Sequence, residues 1–465
     1  MTQPPPHRTI AVVLAAGLGT RMRSRLPKVL HPICGRPMLA YVLDAAREAT
    51  GQRPLVVYSP ATAQVRDVFA DEADFALQEV PRGTGDAVRV ALDAVADGMT
   101  DVLVLNGDKP LSSPAPLRAL LERRSSTGAA MTLTTFLVPG DSPWGRVDLG
   151  PDGQAERILE RKDDPGRAGI SEFQANAGVY VFDAAWLRGA LARIEPSPAS
   201  GELYLTDLVA IAREDGRSVV TIDASDAATS LAHVKDRVDL ATAGALLQER
   251  IGKAHMQAGV SIQDPKSTFI DATVDIAEDV TLEPNVTLKG TTRIGPDSII
   301  KSGSYIVDSV VGERCTIWAS VIEDSVIGDD ARVGPFSHLR PGAHIGAGAE
   351  IGNFAEIKRA SLGPRSKQHH FSYIGDADVG ADVNIGAGTI TANYDGQRKH
   401  RTRIGDGAFI GSDTILRAPV EIGEGSATGA GSVVTRDVPP GKLAVGMPAR
   451  IRERRTPDEP PERAA

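Results

Sequence analysis

From Ile327 onward an aliphatic residue returns every six positions: Ile327, Val333, Leu339, Ile345, Ile351 and Ile357. Ile404, Ile410, Leu416 and Ile422 resume the series, usually with glycine or another small residue next. A period of six fits neither the 3.6 of an α-helix nor the two-residue alternation of a strand. It marks a parallel β-helix, in which each hexapeptide forms one short face and the aliphatics stack into an axial core. Two stretches interrupt the series, Arg365 to Tyr373 and Tyr394 to Arg403. Solenoids accept insertions on their faces, and such loops often carry the site.

Before Gly259 the pattern is different. From Thr9 to about Val220, the apolar runs Ile10–Leu14, Leu55–Tyr58, Val102–Leu105, Met131–Leu137 and Val179–Phe182 alternate with helical patterns. Strands spaced by helices imply crossover connections and an α/β, largely parallel, doubly wound sheet. Leu240, Ala243, Leu247 and Ile251 follow one helical stripe, so a helix is expected to join the two domains. The expected partition is residues 1–233, a linker helix over 234–257, the β-helix over 258–450, and a disordered, charged and proline-rich tail over 451–465.

The densest chemical signal lies just after the first strand, at Leu-Ala-Ala-Gly-Leu-Gly-Thr-Arg-Met from Leu14 to Met22, with Leu-Pro-Lys-Val-Leu ending at Leu30. Gly17 and Gly19 lack Cβ atoms, so backbone N–H groups can close on an anion, while Arg21 and Lys28 add full positive charge. The layout suits a nucleoside triphosphate. It is not a P-loop, since Gly-Lys-Ser/Thr is missing, and not a dinucleotide fingerprint, since Met22 stands where a third glycine belongs. Asp108 follows Asn106-Gly107 at another strand end, where open α/β sheets bind ligands and where a carboxylate can hold Mg²⁺ against phosphates.

Composition narrows the partners. A net charge of −9 argues against a nucleic-acid or anionic-membrane surface. Cys34 and Cys315 are the only cysteines, fitting a reducing compartment and buried packing roles. No apolar run approaches the roughly 18 residues of a membrane span, and the first residues lack a signal-peptide core, so a cytoplasmic protein is expected.

The Leu14–Leu30 string resembles the signature of sugar-phosphate nucleotidylyltransferases. Together with the hexapeptide half, residues 8 to 450 are similar to the bacterial bifunctional family of N-acetylglucosamine-1-phosphate uridylyltransferase and glucosamine-1-phosphate N-acetyltransferase. The resemblance implies a Rossmann-like nucleotidyltransferase domain followed by a left-handed β-helix, an exception to the usual handedness of parallel crossovers. It also implies a homotrimer packed through the prisms, and UTP, acetyl-coenzyme A and Mg²⁺ as co-substrates and metal.

Residue by residue, the family pattern puts Leu14, Ala15, Ala16, Gly17, Gln78, Gly83 and Thr84 at the uracil nucleotide, with Arg21 and Lys28 neutralising phosphate. Asn106, Gly107 and Asp108 match the nucleotide and metal segment, and Gly145, Glu160, Asn176 and Thr206 the acetamido-sugar pocket. In the β-helix, His370, three residues before Tyr373, matches the catalytic base, which should titrate near neutrality as histidine does. Arg340, Lys358, Tyr373 and Asn384 match the sugar-phosphate contacts, and Ala387, Asn393, Tyr394, Ser412 and Ala430 the coenzyme groove. No cysteine lies in these loops, which favours direct attack by the amine over an acetyl-enzyme.

The chain departs from the pattern at three places. Lys235 stands where the family usually has an asparagine as second metal ligand, Lys109 puts an ammonium beside Asp108, and Met447 replaces an arginine often found against the coenzyme. The expected consequence is a weakened dependence on Mg²⁺. Two other readings stay open at this level: a single-activity ADP-glucose or GDP-mannose type nucleotidylyltransferase with a structural β-helix, and a non-catalytic scaffold. An acetyl-coenzyme A assay separates the first, and calorimetry with UTP the second.

Overall fold

In the computed structural model, residues 8–95, 98–164, 166, 169–224 and 233–453 are described. The chain divides into two compact units, with the boundary between Leu247 and Gln248. That boundary falls inside one helix, Arg237–Gln257, which begins three residues later than the expected linker helix.

The first unit is built on a sheet whose main path runs Val219–Asp223, Met131–Pro139, Glu172–Asp183, Asp101–Asn106, Thr9–Leu14, Leu55–Tyr58 and Asp74–Leu77. Glu172–Asp183 is antiparallel to both neighbours; every other pair on this path is parallel. A hairpin of Arg146–Leu149 and Ala155–Leu159 joins at Ala175. Alternation along the first strand explains the double winding. Ala11 and Val13 pack with Leu39, Leu43 and Leu117 on one face, while Val12 packs with Val88, Ala91, Leu187 and Leu208 on the other. Helices Met38–Thr50 and Pro114–Thr127 therefore cover one side, and Thr84–Ala94, Ala184–Leu191 and Leu208–Glu214 the other. Both faces of the strands are buried, which is why they read as continuous apolar runs.

The second unit winds through three sheets of twelve, ten and nine strands. Thr281 pairs with Ile299, Arg332 with Glu350 and Phe409 with Ala427, each eighteen residues on, so three hexapeptides make one coil. The inward residues form one aliphatic cluster from Val260 to Ala444.

The structure corrects one expected interruption and keeps the other. Glu350 pairs with Lys367 and Lys367 with Asn384, seventeen residues on each time, so Arg365 to Tyr373 contains no insertion. The series only looked broken because Gln368 fills the inward position between Ile351 and Ile385 and is fully buried there. By contrast Asn384 pairs with Phe409, twenty-five residues on, and Tyr394–Arg403 is a true excursion. At the end of the chain, Arg450–Glu453 pairs antiparallel with Lys442–Val445, so order reaches three residues into the stretch expected to be a disordered tail. Residues 454–465 lie outside the described residues.

Candidate active sites

Leu14 ends its strand in register with Val57 on one side and Asn106 on the other. The loop after Leu14 and the Asn106-Gly107-Asp108 turn therefore leave the sheet side by side. The Gly107 N–H donates to the Leu14 carbonyl at 2.9 Å, and the Ala15 N–H to that of Val57 at 2.8 Å. At Gly19 φ is +60°, and a Cβ would fall 2.5 Å from the Lys28 Cβ. Glycine there lets the loop fold back on Lys28, whose Nζ reaches Asp108 Oδ2 at 2.5 Å.

A cleft of about 300 Å³ at this edge is lined by Leu14, Ala15, Ala16, Gly17, Lys28, Gln78, Gly83, Thr84, Asn106 and Asp108. The structure thus gathers the residues expected at the nucleotide except Gly107, which packs beneath Leu14, and Arg21, which lines the neighbouring cavity. Gly83 has φ +119°, and a Cβ there would meet the Leu203 carbonyl oxygen at 2.5 Å. The following Thr84 opens helix Thr84–Ala94, and its hydroxyl accepts from the Leu205 N–H at 3.0 Å.

A second cavity, about 540 Å³, shares Leu14, Thr84, Asn106 and Glu202 with the first and contains Arg21, Gly145, Glu160, Asn176 and Thr206. The two therefore adjoin. Gly145 leaves room for the Glu160 carboxylate, which would lie 3.4 Å from a Cβ. Asn176 donates to the Tyr180 hydroxyl at 2.7 Å and accepts from the Gly178 N–H at 2.9 Å, across a bulge in which Gly178 has φ +68°. Burial pushes the Glu160 carboxyl and the Tyr180 hydroxyl up from their ordinary values. A raised carboxyl suits hydrogen bonding to hydroxyl groups.

Among the wall residues that sequence reasoning missed are Trp144, Tyr180 and His233. The Val234 N–H donates to the Asp108 carbonyl at 2.9 Å, which brings His233 and Lys235 against the carboxylate turn. His233 stacks on Trp144 with ring centroids 4.5 Å apart, and Lys235 Nζ lies 4.7 Å from the same indole. Lys109 is fully buried 5.6 Å from it. A tryptophan directly before a pocket glycine was the available signal for Trp144; nothing local distinguished Tyr180 or His233.

Burial dominates the electrostatics here. It brings Lys109 down to about 8 and His233 down to about 3, the latter helped by Lys109. Burial also lowers Lys235, with Arg21 acting in the same direction. For Asp108, burial works upward, but Lys28 and the neighbouring cations outweigh it and hold the carboxyl below its usual range.

A stability consequence follows from His233. Its ring stays neutral in the folded protein down to about pH 3, whereas an unfolded histidine protonates near 6.5. The unfolded chain then binds more protons below 6.5, so this contribution is intact above that pH. It falls as pH drops toward 3, by up to ~1.4 kcal/mol per pH unit. His233→Phe, which keeps a ring on Trp144, should flatten that acid limb in urea unfolding followed by tryptophan fluorescence. An unchanged limb would show that His233 does not titrate with folding.

In the β-helix the expected residues fall on one prism edge and its two flanks. Ala387, Ser412 and Ala430 occupy the same corner of successive coils, as the Asp413 N–H to Ala387 carbonyl and Gly431 N–H to Ser412 carbonyl bonds show, at 2.6 and 2.8 Å, and the register of Gln368 with Ile385 puts His370 at this corner one coil before Ala387. Such a row climbs about 4.8 Å per coil. By register Gly446 stands over Ala430, and Met447, the residue after it, is 77% exposed.

One flank carries Arg340 stacked on Lys358, and Tyr373 stacked on Glu356. Arg340 donates to Glu356 at 2.7 Å. The Lys358 ammonium is lowered by Arg340 first, then by Lys399 from the excursion, and less by Arg359, so four cations gather there, of which Lys399 and Arg359 were missed. Tyr373 accepts from Asn393 at 3.4 Å, and Asn393 donates to Asp376 at 2.6 Å. Asn384 lies on the other flank, in the ladder of Lys367 and Phe409. One chain therefore does not bring Asn384 and Tyr373 to a common face. Tyr394 is 60% exposed on the excursion, which is closed by a bond between His400 and Asp395 at 2.7 Å. A groove of about 660 Å³ between the turns at Gly380, Asp406 and Gly423 holds none of these residues.

The fold and the two sites define a transferase of two domains, one a nucleotidyltransferase and the other a hexapeptide acyltransferase. The profile of the MobA-like NTP transferase domain matches residues 11–164, and that of the bacterial transferase hexapeptide matches 324–359 and 401–436. The chain is 47% identical to the "Bifunctional protein GlmU" of Rubrobacter xylanophilus, over 95% of this chain and 93% of that protein. It is 46% identical to the protein of the same name from Heliobacterium modesticaldum, over 94% and 95%, and 40% identical to that of Shouchella clausii, over 95% and 97%. The chain belongs to the GlmU family of bifunctional transferases.

Proposed function

We propose that this protein makes UDP-N-acetylglucosamine in two steps at two separate sites. The β-helix acetylates glucosamine 1-phosphate with acetyl-coenzyme A, and the N-terminal domain then transfers uridylyl from UTP to the product, releasing pyrophosphate. The observation that carries the reading is the adjoining pair of cavities around Asn106, one lined by the glycine loop with Lys28 and Asp108, the other by Glu160, Asn176 and Arg21. A sugar-phosphate oxygen held in the second cavity lies beside the α-phosphorus of a nucleotide in the first. It attacks in line, the bond to the β-phosphate oxygen breaks, and no protein nucleophile is used. Lys28 and Arg21 neutralise charge on the phosphates as it shifts.

Asp108 is the residue that fits Mg²⁺. Its Oδ1 is buried with no hydrogen-bond partner among the described residues, while Oδ2 is held by Lys28. Mg²⁺ accepts one carboxylate with phosphates and waters completing its shell, and it would supply further charge neutralisation on the triphosphate. Lys235 contributes no ligand while protonated. Lys235→Asn should lower the Mg²⁺ concentration giving half-maximal uridylyl transfer and leave acetyl transfer unchanged. An unchanged concentration would show that Lys235 does not oppose the metal.

At the prism edge, His370 takes the amine proton as the nitrogen attacks the thioester carbonyl, and coenzyme A leaves as the thiol. Arg340, Lys358 and Lys399 suit the sugar phosphate. A prism edge is convex, and Asn384 and Tyr373 lie on its two flanks, so the site is completed by a neighbouring prism; we assign a homotrimer. No described helix is long and apolar enough to cross a membrane, in keeping with a cytoplasmic enzyme acting on these soluble substrates. The test supplies glucosamine 1-phosphate, acetyl-coenzyme A and UTP and omits each in turn. UDP-N-acetylglucosamine should form only with all three, and product formed without acetyl-coenzyme A would overturn the two-step reading.

A further inference from the structure

Gln368 is the exception in its sheet. From Ile262 to Ile410 the inward position of this ladder is aliphatic at every coil except where Gln368 sits between Ile351 and Ile385. It is fully buried, its Oε1 has no partner among the described residues, and a leucine would pack there without that penalty. The next residue departs as well. The neighbouring coils turn this corner with Gly352 and Gly386 directly after the aliphatic, whereas this coil has His369. Both departures fall at the corner that carries His370.

The side chain shows what the amide does. Gln368 Nε2 donates to Ser372 Oγ at 2.7 Å, inside the prism, and the Ser372 hydroxyl donates to the His370 carbonyl at 3.0 Å. Gln368 ends the strand before the corner and Ser372 begins the strand after it. The two bonds therefore brace the three-residue turn from within and end on the backbone of His370 itself. Its neighbour His369 is tied outward, to Glu350 Oε2 at 2.9 Å.

We infer that Gln368 is a positioning residue for acetyl transfer, a buried amide that fixes the corner through Ser372 so that the His370 imidazole is held toward the amine. The inference rests on the acetyl-transfer reading of this edge. It explains why a polar group persists in an axial core that is aliphatic on either side. A residue serving stability alone would be apolar here, because a single hydrogen bond leaves half of the amide unsatisfied.

The experiment compares Gln368→Leu, Ser372→Ala and Ser372→Thr in the full chain, with thermal unfolding, both activities, and kcat and KM for glucosamine 1-phosphate. Gln368→Leu should melt no lower than the parent, keep uridylyl transfer and KM, and lose about ten-fold to a hundred-fold in kcat for acetyl transfer, the scale of a misplaced reacting group. Ser372→Ala should lose kcat similarly, the double variant should be no worse than either single one, and Ser372→Thr, which keeps the hydroxyl, should restore it. Parental kcat in Gln368→Leu overturns the inference. If Gln368→Leu fails to fold, parental kcat in Ser372→Ala overturns it instead. His370→Ala separates this from the reading beneath it: full acetyl transfer in that variant overturns the site assignment, whereas loss there together with parental kcat in Gln368→Leu overturns the brace alone.

Discussion

His370→Ala is expected to lower acetyl transfer by about 10²-fold to 10⁴-fold, the range for removal of a general base, while uridylyl transfer stays at the parental rate. The argument is positional. His370 is exposed at the corner it shares with Ala387 and Ser412, next to the flank that carries Tyr373, Arg340 and Lys358. His369 makes the alternative base concrete, because its bond to Glu350 resembles a histidine held by a carboxylate. That bond, however, ties His369 back to the flank of Glu350 and Lys367, away from Tyr373. His369→Ala should therefore change acetyl transfer by less than about five-fold, short of the effect of a base. Release of coenzyme A thiol measures both. A larger loss in His369→Ala than in His370→Ala would exchange their roles.

Asp108→Asn is expected to lower uridylyl transfer by about 10²-fold to 10³-fold, comparable to losing one electrostatic stabiliser, with acetyl transfer intact. Asp108 pairs with Lys28 and interacts electrostatically with Lys109 and Lys235, and the substitution keeps its shape while deleting its charge. The cleft then becomes more positive, so UTP binding in the absence of metal, measured by calorimetry, should not weaken. Loss of turnover with retained nucleotide affinity is the signature of a group that acts on the metal and the reacting phosphates rather than on overall binding. Uridylyl transfer within about three-fold of the parent would remove Asp108 from the mechanism. A parallel loss of acetyl transfer with the fold intact would contradict the independence of the two sites.

The glycine loop illustrates what local chemistry reveals. Gly17 to Lys28 lies within one short stretch, so the turn, its positive charge and the strand before it were all legible without knowing what lay nearby. The same holds for the β-helix, whose inward aliphatics recur at a fixed interval because each coil repeats the one below. The repeat misled only at Gln368, where a buried amide in an unbroken coil looked like an insertion. Periodicity reports side-chain polarity, and polarity predicts burial only when the polar group has no reason to be inside.

Convergence was a different matter. The antiparallel strand Glu172–Asp183 reads as apolar whichever way it runs, and only its pairing with Asp101–Asn106 shows the direction. Trp144 meets His233 across 89 residues of chain, and Lys235 reaches the same indole because Val234 bonds to Asp108. The alignment of His370, Ala387, Ser412 and Ala430 on one edge, with Asn384 and Tyr373 on opposite flanks, depends on coil lengths of seventeen, eighteen and twenty-five residues. The sequence by itself determined the two architectures, and it pointed to the glycine loop with its positive charge and to the catalytic candidates, because each is written in neighbouring residues. The tertiary structure decided which candidates share a cavity, which cations surround Asp108 and what holds His370, because contacts between distant residues follow from strand register and loop closure rather than from any local pattern.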